Sequence, residues 1–260
     1  MKRKLALACT LLLAVFIALP VVPVTARQGV ATGNPIPTAG KVYALVIGIN
    51  TYPGHALNYC VADADAFAAM VLDKEPSARV VKLENGNAIK KNIMGALTAL
   101  QNDVRSSDDV IIYYSGHGTN GFKGQSGIVA YDGVSGGSGV IWSSELGAAI
   151  SNIHAKRIAV MLDCCYGNGF AGDLNLPGVL AMMSSAGLSG ETALFGHGVF
   201  TYWLLGQGMV NGLADKVGAN TYALPDGKIP FEEAFDYAFQ NMTGQKPKVV
   251  DNVTGDYWLN

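Results

Sequence analysis

Four short runs of almost uninterrupted apolar residues constrain the fold of this 260-residue chain more than any other feature. A strand with one face toward solvent alternates apolar and polar side chains, whereas a strand buried on both faces is apolar along most of its length. The runs span residues 42–49 (VYALVIGI), 109–114 (DVIIYY), 157–162 (RIAVML) and 178–184. They predict the strands of a mostly parallel sheet that is covered on both faces.

Stretches with helical periodicity separate these runs. They span residues 63–74, 87–104, 143–153, 198–208 and 230–242. Alternation of this kind is typical of α/β domains with right-handed crossovers. Because neither a long linker nor an internal repeat follows residue 40, we expect residues 41–245 to form one domain, with residues 246–260 as a C-terminal segment. The pattern does not reveal the order of the strands.

The first 26 residues have the layout of an export signal. Three basic residues precede a long uncharged stretch, which ends in the small residues VTA before Arg27. We expect cleavage after Ala26 and an extracytoplasmic location, periplasmic or secreted. The apolar stretch is long enough that an uncleaved membrane anchor is the alternative, in which case this segment alone would contact the membrane. Residues 27–40 are rich in Gly, Pro and Thr and are predicted to be a flexible lead-in.

Charge and cysteine content narrow the function classes. Loss of the three basic residues at positions 2–4 would change the formal net charge from −2 to −5. The remaining chain has no basic stripe, which argues against a nucleic-acid partner. It keeps three cysteines, Cys60, Cys164 and Cys165. An odd number does not indicate a disulfide framework, and a leftover thiol is a candidate for reactivity.

Two predicted strands end at residues suited to nucleophilic catalysis. Residues 109–114 lead into SGHGTNG, which contains His117, and residues 157–162 lead into DCCYGNG, which contains Cys164 and Cys165. Sites in open parallel sheets gather beyond the carboxyl ends of the strands, so the histidine and the thiols are expected at one rim. A thiolate attacks acyl carbons, histidine transfers protons near neutral pH, and glycines leave backbone N–H groups open to an oxyanion. The alternative is a turn histidine and thiols that pack in the core.

Several segments, in this order, are similar to those of one family. They read YALVIGINTYPG, LNYCVADADAF, DDVIIYYSGHGT, LDCCYGNGF and GHGVFTYWLLGQ. The histidine precedes the second cysteine of LDCCYGNGF by 48 residues, close to the ~50-residue spacing noted for caspases. Residues 42 to about 240 thus resemble the caspase-like cysteine peptidases, specifically their metacaspase-like bacterial branch. The resemblance implies a three-layer α/β/α sandwich with a mostly parallel central sheet, and cysteine endopeptidase activity.

The resemblance also implies a role for each residue of the two rim motifs. Asp163, Cys164 and Cys165 match the family's order of aspartate, small residue and nucleophile, so Cys165 is the expected nucleophile. Cys164 as nucleophile is the alternative. His117 is the expected general acid and base. The backbone N–H groups of Gly118 and Cys165 are the expected oxyanion hole.

Members of this family cleave after Arg or Lys, and the matching pocket residues here are Asp63, Asp163 and Ser115. Two carboxylates near one pocket favour a guanidinium or ammonium group and disfavour an acidic side chain. Each residue also has a structural interpretation. Asp63 could serve as a favourable charge at a helix N-terminus, Asp163 as a strand-end acceptor for turn amides, and Ser115 as a turn former.

No cofactor is expected. Many metacaspases bind calcium through an acidic stretch, but the corresponding region here offers only Asp132, with Asp173 farther on. Two carboxylates are few for the six to eight oxygens that calcium takes, so calcium is weakly supported. His197 is interpreted as a structural residue at a helix start. Cys60 is interpreted as an apolar residue on a buried helix face that could lie near the specificity pocket.

The expected partner is therefore a peptide or protein substrate, cleaved after Arg or Lys. The alternative function is a catalytically silent module of the same fold that binds basic peptides. A third possibility, a peptide ligase, would share the nucleophile and the oxyanion hole. Product analysis separates ligation from hydrolysis, and binding without turnover would identify the module.

Overall fold

A computed structural model of the protein describes residues 40–121, 124–133, 137–216 and 226–259. The expected export signal and nearly all of the lead-in lie outside these residues. Within the described ranges, no helix combines the length and the apolar composition needed to span a membrane.

The elements follow each other in this order. They are β1 (Val42–Gly48), α1 (Cys60–Lys74), β2 (Arg79–Glu84), α2 (Lys90–Asp103), β3 (Asp109–Ser115), β4 (Gly118–Asn120), β5 (Ser126–Val129), β6 (Val140–Trp142), α3 (Ser143–Ser151), β7 (Arg157–Asp163), β8 (Val179–Met183), β9 (Glu191–Thr192), β10 (His197–Gly198), α4 (Val199–Thr201, continuing as a π-helix over Tyr202–Val210), α5 (Phe231–Asn241) and β11 (Lys248–Asp251). Short 3₁₀ turns span Asn85–Asn87, Gly167–Phe170 and Ala214–Lys216.

Six strands form the central sheet in the order β11–β8–β7–β3–β1–β2. Five of them are parallel, and β11 runs antiparallel to β8. The four predicted strands become β1, β3, β7 and β8, and they occupy the interior of the sheet. The prediction of a mostly parallel sheet is confirmed.

Helices cover both faces of this sheet, which makes the three-layer α/β/α sandwich. Side chains alternate along each strand, so Leu45 and Ile112 enter the core on one face while Val46 and Ile111 enter the core on the other. Helices α2 and α3 pack on the first face, through side chains such as Ile93. Helices α1, α4 and α5 pack on the second. Their buried residues there include Phe67, Phe200 and Phe235.

The two edges of the sheet come from segments without the apolar pattern. Strand β2 is largely exposed, and β11 is formed by residues that the sequence assigns to a C-terminal segment. The same segment contributes Tyr257, which is 0% exposed and whose hydroxyl donates to the carbonyl of Val110 at 2.9 Å. Residues 246–259 are therefore packed into the domain.

Two small antiparallel units lie next to the carboxyl ends of the central strands. Strands β4, β5 and β6 form one, and β9 and β10 form the other. His117 lies between β3 and β4, so the first unit continues directly from the strand that ends beside it. The second unit contains His197 and Glu191, and Glu191 lines the same pocket as His117.

Candidate active site

The rim predicted from the strand ends is formed by two neighbouring strands. Strands β3 and β7 are adjacent and parallel, and their last residues, Ser115 and Asp163, are register partners. His117 and Cys165, two residues farther along each chain segment, line one small pocket. The full lining of this pocket is Leu57, Cys60, Ser115, Gly116, His117, Asp163, Cys164, Cys165, Ser189, Gly190, Glu191 and Gly198.

The two adjacent cysteines have different environments. Cys164 is 1% exposed and belongs to the hydrophobic core, and burial raises the pKa of its thiol well above the ordinary value. Cys165 is partly exposed, and its Sγ accepts the backbone N–H of Ser189 at 3.3 Å. A partly exposed thiol can reach a substrate, whereas a thiol buried in the core cannot. These environments favour Cys165 over Cys164 as the reactive thiol.

The chain turns sharply after Cys165. Tyr166 has a φ of +58°, in the left-handed region that few non-glycine residues adopt. Its N–H donates to the carbonyl of Gly187 at 2.6 Å, and its carbonyl accepts the hydroxyl of Ser126 at 2.8 Å. Contacts on both sides of the residue thus hold the turn that follows the nucleophile candidate.

His117 is held at its backbone and at its ring. Its N–H donates to the hydroxyl of Tyr52 at 3.1 Å, and its carbonyl accepts the hydroxyl of Tyr114 at 2.7 Å. The ring Nε2 lies 2.7 Å from the carbonyl oxygen of His55, and the ring packs against Tyr52 with centroids 4.6 Å apart. This contact is made by the backbone of His55, so the side chain at that position does not indicate it.

Gly118 brings the two rim motifs into contact. A Cβ at this position would lie 2.0 Å from the carbonyl oxygen of Cys165 and 3.1 Å from the Cβ of Cys164. The backbone of the histidine motif therefore touches the backbone of the cysteine motif, and only glycine permits this approach.

Asp163 is buried beside the pocket and is held by neutral donors. The hydroxyl of Ser189 donates to its Oδ1 at 2.8 Å, and Oδ2 accepts the hydroxyl of Thr201 at 2.8 Å and the N–H of Thr201 at 3.1 Å. Burial, together with the nearby charge of Asp63, raises the pKa of Asp163 to about 6. The interpretation of Asp163 as an acceptor for turn amides is met in part by the N–H of Thr201.

Asp63 lies behind the pocket lining. Its carboxylate, on the first turn of α1, is 0% exposed. Its Oδ2 accepts the hydroxyl of Ser115 at 2.8 Å, and both oxygens accept the N–H of Gly198, at 3.1 and 3.2 Å. Its Oδ1 also lies 2.8 Å from Nδ1 of His197. Asp63 is thus connected to the pocket through Ser115 and Gly198, two of the lining residues.

Glu191 is a pocket residue that sequence reasoning did not identify. Its carboxylate accepts the backbone N–H of Asn58 and of Tyr59, each at 2.9 Å at the closest oxygen, and the side-chain amide of Asn58 at 2.9 Å. It therefore holds the segment that enters α1 as well as lining the pocket. No apolar pattern marks residues 187–192, so nothing in the sequence pointed to them.

The two candidate calcium ligands each have a partner within the chain. Asp132 accepts the N–H of Lys90 at 2.8 Å, and Asp173 accepts the hydroxyl of Ser143 at 2.5 Å. Among the described residues, no group of three or more His, Cys, Asp and Glu side chains is arranged to hold a metal ion.

A family model for the caspase domain matches residues 41–244. The chain belongs to the caspase-domain family. This match supports the resemblance seen in the motifs and covers nearly all of the sandwich. The caspase-domain family is one of cysteine peptidases, so the rim formed by β3 and β7 is the natural candidate for an active site.

A solved structure shares the fold of this caspase domain. A protein from Geobacter sulfurreducens, known from its crystal structure, superposes with a TM-score of 0.62 at 20% sequence identity, over 80% of this chain and 92% of that one. At this identity the likeness concerns the fold alone. The comparison with curated proteins yields no match.

Proposed function

We propose that this caspase-domain protein is an exported cysteine endopeptidase that hydrolyses peptide bonds after Arg or Lys. The observation that carries the proposal is the composition of one pocket, which is lined by His117, Cys165, Asp163 and Glu191 together. The pocket combines a nucleophile, a proton carrier and negative charge. These are the groups that cleavage beside a cationic side chain requires.

The contacts of His117 support a definite proton path. A carbonyl oxygen only accepts hydrogen bonds, so Nε2, which lies 2.7 Å from the carbonyl of His55, carries the proton of the neutral ring. Nδ1 is then the nitrogen that accepts the thiol proton of Cys165. The same nitrogen later returns that proton to the leaving amine.

The reaction proceeds through a thioester. The thiolate of Cys165 attacks the carbonyl carbon, and the oxyanion that forms is stabilised by the backbone N–H groups of Gly118 and Cys165. The C–N bond breaks as His117 protonates the amine. Water, deprotonated by His117, then attacks the thioester, which releases the acid and restores the thiol.

Specificity for Arg or Lys rests on charge. The residues described as lining the pocket include two carboxylates, Asp163 and Glu191, and no lysine or arginine. Asp163 accepts three hydrogen bonds from Ser189 and Thr201, and a carboxylate has about four acceptor sites, so its Oδ1 retains capacity for a substrate donor. The buried charge of Asp63, behind Ser115, adds to the negative potential.

Export is proposed from residues 1–26 alone, whose basic start, apolar stretch and small residues before Arg27 are typical of a signal peptide. We propose no calcium requirement, because Asp132 and Asp173 supply few oxygens. Both proposals are open to direct tests, by N-terminal sequencing of the mature protein and by assays with calcium and with a chelator.

The central test is a panel of fluorogenic peptides with Arg, Lys, norleucine or Asp before the scissile bond. The full-length wild type, Cys165→Ala and Cys164→Ala are compared, each with calcium and with a chelator. We expect turnover after Arg and Lys, lost by at least about 10³-fold in Cys165→Ala because the nucleophile is gone. Cys164→Ala is the matched control and should retain most of the activity.

Other results would redirect the assignment. Loss of turnover only in Cys164→Ala would place the nucleophile one residue earlier. Turnover after norleucine equal to that after Arg would contradict the charged pocket. Tight binding of Arg peptides with no turnover by the wild type would contradict the peptidase and favour the silent binding module, and joined peptides among the products would favour the ligase.

A further inference from the structure

His197 lies beside the acidic pocket and takes no part in the proposed proton transfer. Its Nδ1 lies 2.8 Å from Oδ1 of Asp63. The side chain of His197 is 29% exposed, whereas that of Asp63 is 0% exposed. The imidazole can therefore exchange a proton with solvent, while the carboxylate that it contacts cannot do so directly.

Gly198 links this pair to the second buried acid. Its N–H donates to Asp63, and a Cβ at Gly198 would lie 2.4 Å from Oδ2 of Asp163 and 3.0 Å from Oδ2 of Asp63. The backbone of Gly198, which lines the pocket, is thus packed against both carboxylates. We call Asp63, Asp163 and His197 the pocket cluster.

Other titratable groups face the pocket cluster from neighbouring elements. They are Cys60 on α1, Tyr113 on β3 and His117 just beyond it, Cys164 and Cys165 after β7, and Glu191 on β9. Burial raises the pKa of Cys60, Tyr113 and Cys164 far enough that these groups stay neutral near pH 7. Within the cluster itself, His197 is the member that can carry a positive charge.

We propose that His197 is a specificity-determining residue whose imidazolium offsets the charge of Asp63, so that the pocket attracts a cationic substrate side chain more strongly when His197 is neutral. This inference rests on the proposed cleavage after Arg or Lys. It assigns to His197 a role beyond that of a structural residue at a helix start.

A neutral donor is enough to hold an oxygen of Asp63, as the hydroxyl of Ser115 does. Unlike this hydroxyl, the imidazole of His197 is positively charged at low pH and neutral at high pH. Its hydrogen bond to Asp63 raises the pKa of His197 above the ordinary value, despite partial burial. As pH rises through that pKa, the pocket cluster gains one unit of negative charge. One unit charge a few ångströms from a partly exposed site corresponds to roughly a tenfold change in affinity for a cation.

The test measures KM for an Arg peptide between pH 5.5 and 8.5 with full-length wild type, His197→Asn and His154→Asn. Asparagine keeps an N–H donor near the position of Nδ1 but cannot be charged. In the wild type we expect KM to fall by roughly tenfold across the titration of His197. In His197→Asn, KM should stay at the low value throughout that interval. A separate change in KM at lower pH, caused by the titration of Asp163, should remain.

His154→Asn is the matched control, because His154 is exposed and precedes β7, at the opposite end of the sheet. It should reproduce the wild-type profile. The pH dependence of kcat should keep its wild-type shape in His197→Asn, since His197 takes no part in the proposed bond-making and bond-breaking steps. A role for His197 that is only structural would leave the slope of KM against pH unchanged in His197→Asn, and that result overturns the inference.

Binding of benzamidine to full-length Cys165→Ala, with and without His197→Asn, gives a readout that does not need turnover. Calorimetry should show affinity that rises with pH in the single variant and is flat over the same interval in the double variant. Cleavage of Arg peptides with an unchanged KM slope would overturn the role of His197 and leave the proposed function intact. Pocket binding with this pH dependence but no cleavage of any peptide would overturn the peptidase and leave the role of His197 intact.

Discussion

The two ends of the central sheet hold carboxylates in different ways. At the amino end, Asp109 at the start of β3 forms two hydrogen bonds with Arg157 at the start of β7, at 3.0 and 2.6 Å. At the carboxyl end of the same two strands, Asp163 is held by hydroxyl and amide groups, and Asp63 has His197 as its only potential cation among its described contacts. A carboxylate paired with a fixed arginine is already satisfied, whereas one held by neutral donors keeps its charge for a substrate.

Neutral donors also hold an acid at the amino end, but there they have a different effect on its pKa. Burial tends to raise the pKa of Asp108, beside Asp109, but the backbone N–H groups of Lys41 and Arg105 outweigh it, and the pKa of Asp108 is lowered. At the other end, burial and Asp63 raise the pKa of Asp163 to about 6. The hydrogen bonds to Asp108 therefore stabilise the folded state, whereas the buried charge of Asp163 destabilises it.

The largest expected effect that sharpens this comparison is on activity. Asp163→Asn should lower kcat/KM for an Arg peptide by about 100-fold, because removing one partner of a close charge pair costs a few kcal/mol. Asp109→Asn changes the same side chain at the other end of the sheet and should lower kcat/KM less than about twofold. Steady-state kinetics on Arg and norleucine peptides measures both, and equal losses in the two variants would refute the division.

The second effect is on stability and has opposite signs at the two ends. The folded pKa of Asp163 lies above its unfolded value near 3.9, so the native state binds more protons between about pH 4 and 6 and loses stability as pH rises through that window. Asp163→Asn removes this penalty and should raise the free energy of unfolding at pH 7 by about 1–3 kcal/mol.

Asp108 supplies the opposite case for this measurement. Its lowered pKa means that its contribution is present above the unfolded value near 3.9 and is lost as pH falls through the folded pKa. Asp108→Asn should therefore destabilise the protein at pH 7, with a difference from wild type that shrinks below about pH 4. Urea unfolding at pH 3 to 8 measures both variants, and two differences of the same sign at pH 7 would break the comparison.

The smallest effect concerns a pair of tyrosines. Tyr52→Phe removes the hydroxyl that accepts the N–H of His117 and contacts the carbonyl of Val129 at 2.9 Å. We expect kcat to fall by about three- to tenfold and the free energy of unfolding by about 1 kcal/mol, the value of a typical hydrogen bond. Tyr43→Phe removes a hydroxyl that contacts Asp103 at 3.4 Å, near the amino end, and should leave kcat unchanged. Equal losses of kcat in the two variants would argue against a role for Tyr52 in holding His117.

The interior strands of the sheet were predictable because burial on both faces requires apolar residues along nearly the whole strand. Strands β1, β3, β7 and β8 have this continuous apolar pattern. Strand β2 does not, since its side chains are mostly exposed and its place depends on backbone pairing with β1. The same holds for β11, whose partner β8 lies much earlier in the chain. Strands β9 and β10 are close in sequence, but with two residues each they are too short to show a periodic pattern.

The candidate site divides in the same way. His117 and Cys165 follow apolar runs directly, so their meeting at one rim could be inferred from the rule for parallel sheets. Glu191 and Ser189 reach the pocket through a segment with no periodic pattern. The contact between His197 and Asp63 spans 134 residues, and nothing local in the sequence indicates it.

Tyr257 contacts a strand that is synthesised much earlier than Tyr257 itself. Its ring is buried in the core, and its hydroxyl donates a hydrogen bond to the carbonyl of Val110, which is 147 residues earlier in the chain. Because synthesis proceeds at about 5–20 residues per second, β3 is made at least several seconds before Tyr257. The packing around Tyr257 is therefore completed only after nearly all of the described chain has been made.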